Sequence, residues 1–181
     1  MSHLSWILGF LTVPGAVCRA FLDHLFCKIL RVPVEDTAYL HRSEQFGHVE
    51  HKPVQQAGKG FVLCFVPGLI LFLCGVVTAG TAAFHLFGIG VTPRALQTGK
   101  ISVLFIVCCV LLYAGISLLC HVFPSYEDAL YLWESCSEAP AAARIILTPF
   151  AACMRAGAFL ARFGVWQLLY AGLTAVLFII I

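Results

Sequence analysis

Two charged side chains inside an otherwise apolar stretch, Arg19 and Asp23, are the first groups in this chain that could do chemistry. Four residues apart, they share one face of a helix, one turn from each other. Either charge alone would be costly in such surroundings, whereas a pair partly neutralises itself. Arg before Asp is the weaker order for an intrahelical pair, so each is expected to have a further partner. Asp128 is the second candidate, and an Arg19–Asp23–Asp128 cluster is geometrically possible. The spacing Ser125 to Asp128 by itself favours a plainer role, Ser at the N-cap and an acid at N3. His24 projects about 100° from Asp23 and need not join the pair. His48 and His51, in H-V-E-H, would suit a metal on a helix. Their segment has strand-like composition, however, and on a strand they point to opposite faces. A tetrahedral site needs three or four converging ligands, so the pair alone is a weak signal. His85 and His121 sit near predicted helix ends. No Gly-rich phosphate loop, G-x-S-x-G or Ser–His–Asp order is present.

The elements that must position these groups follow from composition. The 181 residues are 61% apolar and 11% charged, with a mean hydropathy of +0.95. A soluble domain is nearer 45–50% apolar and about 25% charged. An ordinary soluble globule, a disordered tail, a disulfide scaffold and a nucleic-acid binder are excluded. The net charge of +2 offers no footprint for RNA or DNA. The nine cysteines contain no C-x-x-C and mostly lie in apolar runs, which reads as reduced, buried thiol. The expected class is an all-α integral membrane protein, a single polytopic helix bundle of about four to five spans with a short surface β-hairpin.

Along the chain, a first helix is expected over about 4–30, bending near Pro14-Gly15. Its start lacks the basic region and cleavage site of a signal peptide and is expected to be retained. A hairpin is expected over about 34–51, from strand-like Val34–Leu40 and Phe46–His51. Spans follow over 61–87, 101–122 and 164–181. The stretch 142–162, broken by Arg144, Pro149, Arg155 and Arg162, reads as an interfacial amphipathic helix or a short helix buried against the bundle, because Arg155 would be costly at a bilayer centre. Tyr126 to about Ser135 is expected as a short helix. Six basic residues between Arg19 and Lys59, against two in Gly88–Lys100, put the first long loop on the cytoplasmic side.

Several stretches carry a resemblance. TVPGAVCRAFLDHLFCKILRVPV, FGHVEHKP, VPGLILFL and CHVFPSYEDALYLWE resemble, in order and spacing, the motif regions of small bacterial membrane proteins related to site-2-protease-type zinc metallopeptidases. In that family a T-x-P-G turn leads into a helix bearing H-E-x-x-H, and an F-P-S-x-x-D-A segment carries the third zinc ligand. Laid onto this chain, the two histidines fall on Arg19 and Asp23 and the catalytic glutamate on Ala20. An Asn of the second span falls on about Leu71, and the third ligand is retained as Asp128. Arginine stays protonated and offers no lone pair to a metal, and alanine cannot act as a base.

The resemblance therefore implies a catalytically inactive relative in the bacterial cytoplasmic membrane, with no metal or other cofactor expected. Arg19 would stand in for the lost dication, bridging Asp23 and Asp128 with forked hydrogen bonds. Its partners would be the lipid bilayer and a membrane protein or peptide segment, met at the hairpin edge over Val34–His51. One alternative is an active zinc metallopeptidase with ligands relocated to His24, His48, His51 and Asp128 and Glu50 or Glu127 as base. Another is a small transporter or channel subunit using Arg155 and His85, which the absence of paired broken helices disfavours.

Overall fold

A computed structural model describes residues 9–38, 48–54, 56–90 and 102–180. It is mostly helical, with one small antiparallel sheet. The order is α1 (Val13–Leu30), β1 (Val34–Ala38), β2 (His48–His51), α2 (Ala57–Ala83), α3 (Val103–Cys120), α4 (Tyr126–Ser137), α5 (Ala141–Arg162) and α6 (Val165–Ile180). A π turn, Phe84–Gly88, prolongs α2.

The expected bend at Pro14-Gly15 is a helix start instead. Residues 9–11 are helical, Thr12 interrupts, and α1 begins at Val13 with Pro14 in its first turn. Proline has no N–H to lose there and its fixed φ suits a helix start. The first turn still has orphan donors. The Gly15 N–H donates across to Ser117 Oγ of α3 (2.8 Å), and that hydroxyl donates to the Thr12 carbonyl (3.0 Å). The expectation for residues 4–8 lies outside the described residues. At its other end α1 stops at Arg31, in the left-handed region with φ 57°. The chain then turns into β1, which pairs with β2 in the register Val34↔His51 through Ala38↔His48, with an irregularity between Val34 and Asp36. The tip of the expected hairpin, 39–47, lies outside the described residues.

Among the described residues, three helices are long and apolar enough to cross a membrane by length and composition: Ala57–Gly88, Val103–Cys120 and Ala141–Arg162. The third is the segment whose arginines left its role open. The shorter α6 is also apolar. The charges of α1 keep it out of this group. α2 and α3 pack closely because small residues meet at their crossing, Gly115 lying on Ala79 and Gly75 under Leu119. One buried cluster, Ala82, Leu86, Cys108 and Leu112, fills the far end of this pair. Another, Cys64, Leu132, Cys136 and Ala151, joins the start of α2 to α4 and α5. All nine cysteines are free thiols. Large apolar side chains such as Phe72, Leu73, Val110 and Val176 remain exposed around the outside.

Candidate functional site

The charged residues singled out above gather where α1 crosses the start of α2 and the end of α3. Arg19 is buried, 6% exposed. Its Nε donates to Asp23 Oδ2 at 2.9 Å, across one turn of α1. Nη1 donates to the Val122 carbonyl at 2.9 Å and Nη2 to the Cys64 carbonyl at 3.4 Å. Val122 follows the end of α3, so its carbonyl has no helical partner and needs a donor. The approach is possible because Gly68 faces this crossing: a Cβ there would run into the Val122 carbonyl and stand 3.2 Å from Arg19 Nη1. Asp23 keeps a second oxygen, Oδ1, buried without a hydrogen-bond partner.

Asp128 has two roles. Its backbone N–H donates to Ser125 Oγ at 3.1 Å, the cap expected from the spacing. Its carboxylate Oδ1 accepts from His51 Nε2 at 3.1 Å. The expected bridge from Arg19 to both acids is therefore corrected. The guanidinium spends its two terminal nitrogens on carbonyls, and β2 delivers a histidine to the second acid. His51 Nδ1 lies 3.0 Å from the Lys52 carbonyl, so a doubly protonated ring donates at both nitrogens. The four groups still form one electrostatic unit. Arg19 acts on Asp128, and Asp23 acts on His51. Two cations stand against two anions, joined in pairs.

Ala20 is fully buried and Leu71 is 2% exposed, both as packing residues. His24 lies on α1, and Glu50 and Glu127 are exposed. His48 pairs with Ala38 through the backbone; the expectation for its side chain lies outside the described residues. His85 sits exposed in the π turn beyond α2, against Phe84, while Arg155 sits against Trp133 where α4 meets α5. Those two positions are at opposite ends of α2.

Among the described residues no three His, Cys, Asp or Glu side chains converge as a metal-binding group. The donor set itself does not fit a zincin-type ion. Arg19, where the resemblance would put the first ligand, has its nitrogens protonated and committed, and Asp23 faces that guanidinium.

The His51–Asp128 pair carries a pH signature. The hydrogen bond to Asp128, working against burial, holds the imidazole up at about 9. Burial alone would raise the Asp128 carboxyl, but His51, the Ser125 hydroxyl and the Arg19 charge together keep it below its ordinary value. The His51 contribution is thus complete below the unfolded histidine value, about 6.5, and is lost as pH rises through about 9. The Asp128 contribution is present above about 3.9 and fades as pH falls through the lower folded value. Unfolding of the full chain in detergent should show a loss of roughly 1–2 kcal/mol between pH 6.5 and 10, allowing for solvent screening. His51→Gln keeps an N–H donor but does not titrate, and should flatten that slope; a slope unchanged in this variant would place its origin elsewhere.

Compared with known proteins, the chain matches no family model, no curated protein and no solved structure.

Sequence reasoning missed two features. One is His51 as the partner of Asp128, although the histidine itself stood out. The other is the Thr12–Ser117–His121 group, in which His121 Nε2 lies 3.0 Å from Thr12 Oγ1. No local motif marks either contact, because each joins residues more than 70 positions apart.

Proposed function

We propose that this chain is an integral membrane protein of the bacterial cytoplasmic membrane, a non-catalytic relative of site-2-protease-type metallopeptidases that acts as a binding or scaffold protein. The observation that carries this reading is the state of Arg19. A buried guanidinium with all three nitrogens committed lies where the resemblance puts the first zinc-binding histidine, paired with the residue in place of the second. In the zincin mechanism the metal acidifies a bound water and a glutamate takes its proton; here those positions hold Arg19, Asp23 and Ala20. What survives is the frame around them, a charge-balanced knot that ties α1, α2, α4 and β2 together. The hairpin next to this knot is the surface a partner would use. A two-stranded sheet can add a third strand from an extended peptide by main-chain hydrogen bonds, while α2, α3 and α6 hold the sheet at the bilayer.

The test uses the purified full chain. Metal analysis should find no stoichiometric zinc, with no change in Asp23→Ala or Asp128→Ala. A labelled transmembrane peptide should photocrosslink to a probe placed at Thr37 and remain intact on incubation. Stoichiometric zinc lost in both variants, or peptide cleavage stopped by a zinc chelator, would replace this reading with that of a working metallopeptidase.

A further inference from the structure

One helix carries positive charge that no acid answers. α5 holds Arg144, Arg155 and Arg162 and no Asp or Glu. Their spacings of 11 and 7 residues place all three within about 20° of one another around the helix. Among the described residues the ion pairs are Arg19–Asp23 and His51–Asp128, so none of these arginines has a carboxylate partner. Two of them rest on aromatic faces of α4 instead. The Arg155 guanidinium lies 5.5 Å from the centroid of Trp133, and that of Arg162 lies 5.6 Å from Tyr126. Tyr126 and Trp133 are seven apart and share a face of α4, while exposed Glu127 and Glu134 lie about 100° further round.

Between the two helices runs an open groove of about 410 Å³, lined by Tyr126, Trp133, Arg155 and Phe159, with Ala152 and Ala156 also contributing. Two alanines one turn apart keep it open, since larger side chains would fill it. Phe159, one of its walls, is exposed and packs edge-on against exposed Phe163.

Its depth follows from what α5 touches. Phe150 packs edge-on against Phe61 and Phe65 in the first turns of α2, and Gly157 lies on Phe123, just past the end of α3. α6 begins at the same level, with Trp166 stacked on Phe123, but reaches the other end of the α2–α3 pair, where Phe178 meets Phe87. α5 thus stays at the end that carries the charged knot and the hairpin. When α2 and α3 span a bilayer, that end lies at headgroup depth.

Guanidinium forks fit phosphate oxygens, and aromatic rings favour the interfacial layer. We propose that the groove between α4 and α5 binds the headgroup of an anionic phospholipid, with Arg155 on the phosphate, Arg162 two turns along adding positive charge beyond the groove's end, and the acyl chain leaving over Phe159. This rests on the membrane reading given above, and the experiment separates the two.

The full chain is reconstituted in phosphatidylcholine vesicles containing the same fraction of either brominated phosphatidylglycerol or brominated phosphatidylcholine, and tryptophan quenching is compared. Brominated phosphatidylglycerol should associate roughly fivefold more strongly, by the attraction of a cationic pair for an anionic headgroup. The excess should vanish in Trp133→Phe, which removes the local reporter, and in the double variant Arg155→Gln/Arg162→Gln. Arg155→Lys/Arg162→Lys should keep part of it, because an ammonium retains the charge without the fork. Equal quenching by the two lipids in the unaltered chain overturns the site while leaving membrane insertion intact. No quenching by either overturns both. Loss of the preference in millimolar inorganic phosphate would show that the groove takes free phosphate, and overturns the lipid assignment.

Discussion

Arg19→Ala is expected to lower the stability of the full chain by about 3–5 kcal/mol, the range for removing one partner of a buried ion pair. The reason is what the change leaves behind. Asp23 already has one buried oxygen without a partner, and would lose the donor to the other. The Val122 carbonyl, past the end of α3, would lose its donor as well. The guanidinium is enclosed between α1, α2 and the α3–α4 turn, so the change strands these groups in a mostly buried site. The double variant Arg19→Leu/Asp23→Leu removes both charges and fills the space with apolar atoms, so it should cost clearly less than Arg19→Ala. Unfolding in detergent micelles by increasing fractions of dodecyl sulfate measures both. If the double variant proves as unstable as the single one, the penalty does not come from a stranded charge, and the idea of a charge-balanced knot in place of a metal fails with it.

The second large effect is expected from a single methyl group. In Gly68→Ala the new Cβ runs into the Val122 carbonyl and crowds Arg19 Nη1 at 3.2 Å. In Gly15→Ala it runs into the Ser117 carbonyl and approaches His121 Cδ2 at 2.9 Å. In both, the nearest obstacle is backbone, which cannot rotate aside as a side chain would. Overpacking of this kind costs about 1–3 kcal/mol and occasionally more; a backbone obstacle places both variants at the upper end. Gly80 is the internal control. It lies in α2 with nothing within 4 Å of a Cβ, so Gly80→Ala should be neutral or stabilising by up to about 1 kcal/mol from helix propensity. Thermal unfolding of the three variants side by side decides it, and equal midpoints would mean that the backbones do not approach this closely at Gly68 and Gly15.

Where an expectation depended on neighbours in sequence, the residues were enough to read it. Ser125 caps α4 through Asp128, and Arg19 meets Asp23, because a helix brings residues three and four apart together whatever surrounds it. The long apolar runs likewise became helices of spanning length in α2 and α3. Pro14 was misjudged for a physical reason. A proline in the middle of an apolar run is compatible with a bend or with a fresh start, and the turn at Thr12, held by Ser117 of a distant helix and His121 just past its end, selects the start. α5 shows a similar limit. Its arginines argued against a plain span, while its length and composition allow one; its contacts with Phe61, Phe65 and Phe123 decide where it packs.

The amino-acid sequence alone determined that helices dominate, that they are apolar enough for a membrane, and that Arg19 and Asp23 are partners, since composition and a 3.6-residue repeat act locally. Only the tertiary structure decided who else joins them. A two-residue strand period turns each side chain to one face or the other, so whether His51 reaches Asp128 depends on the register of β2 against β1 and on how that sheet sits over α1. The carbonyls that claim the rest of Arg19 depend on two glycines letting backbones touch. Those are properties of packing, and no local pattern encodes them.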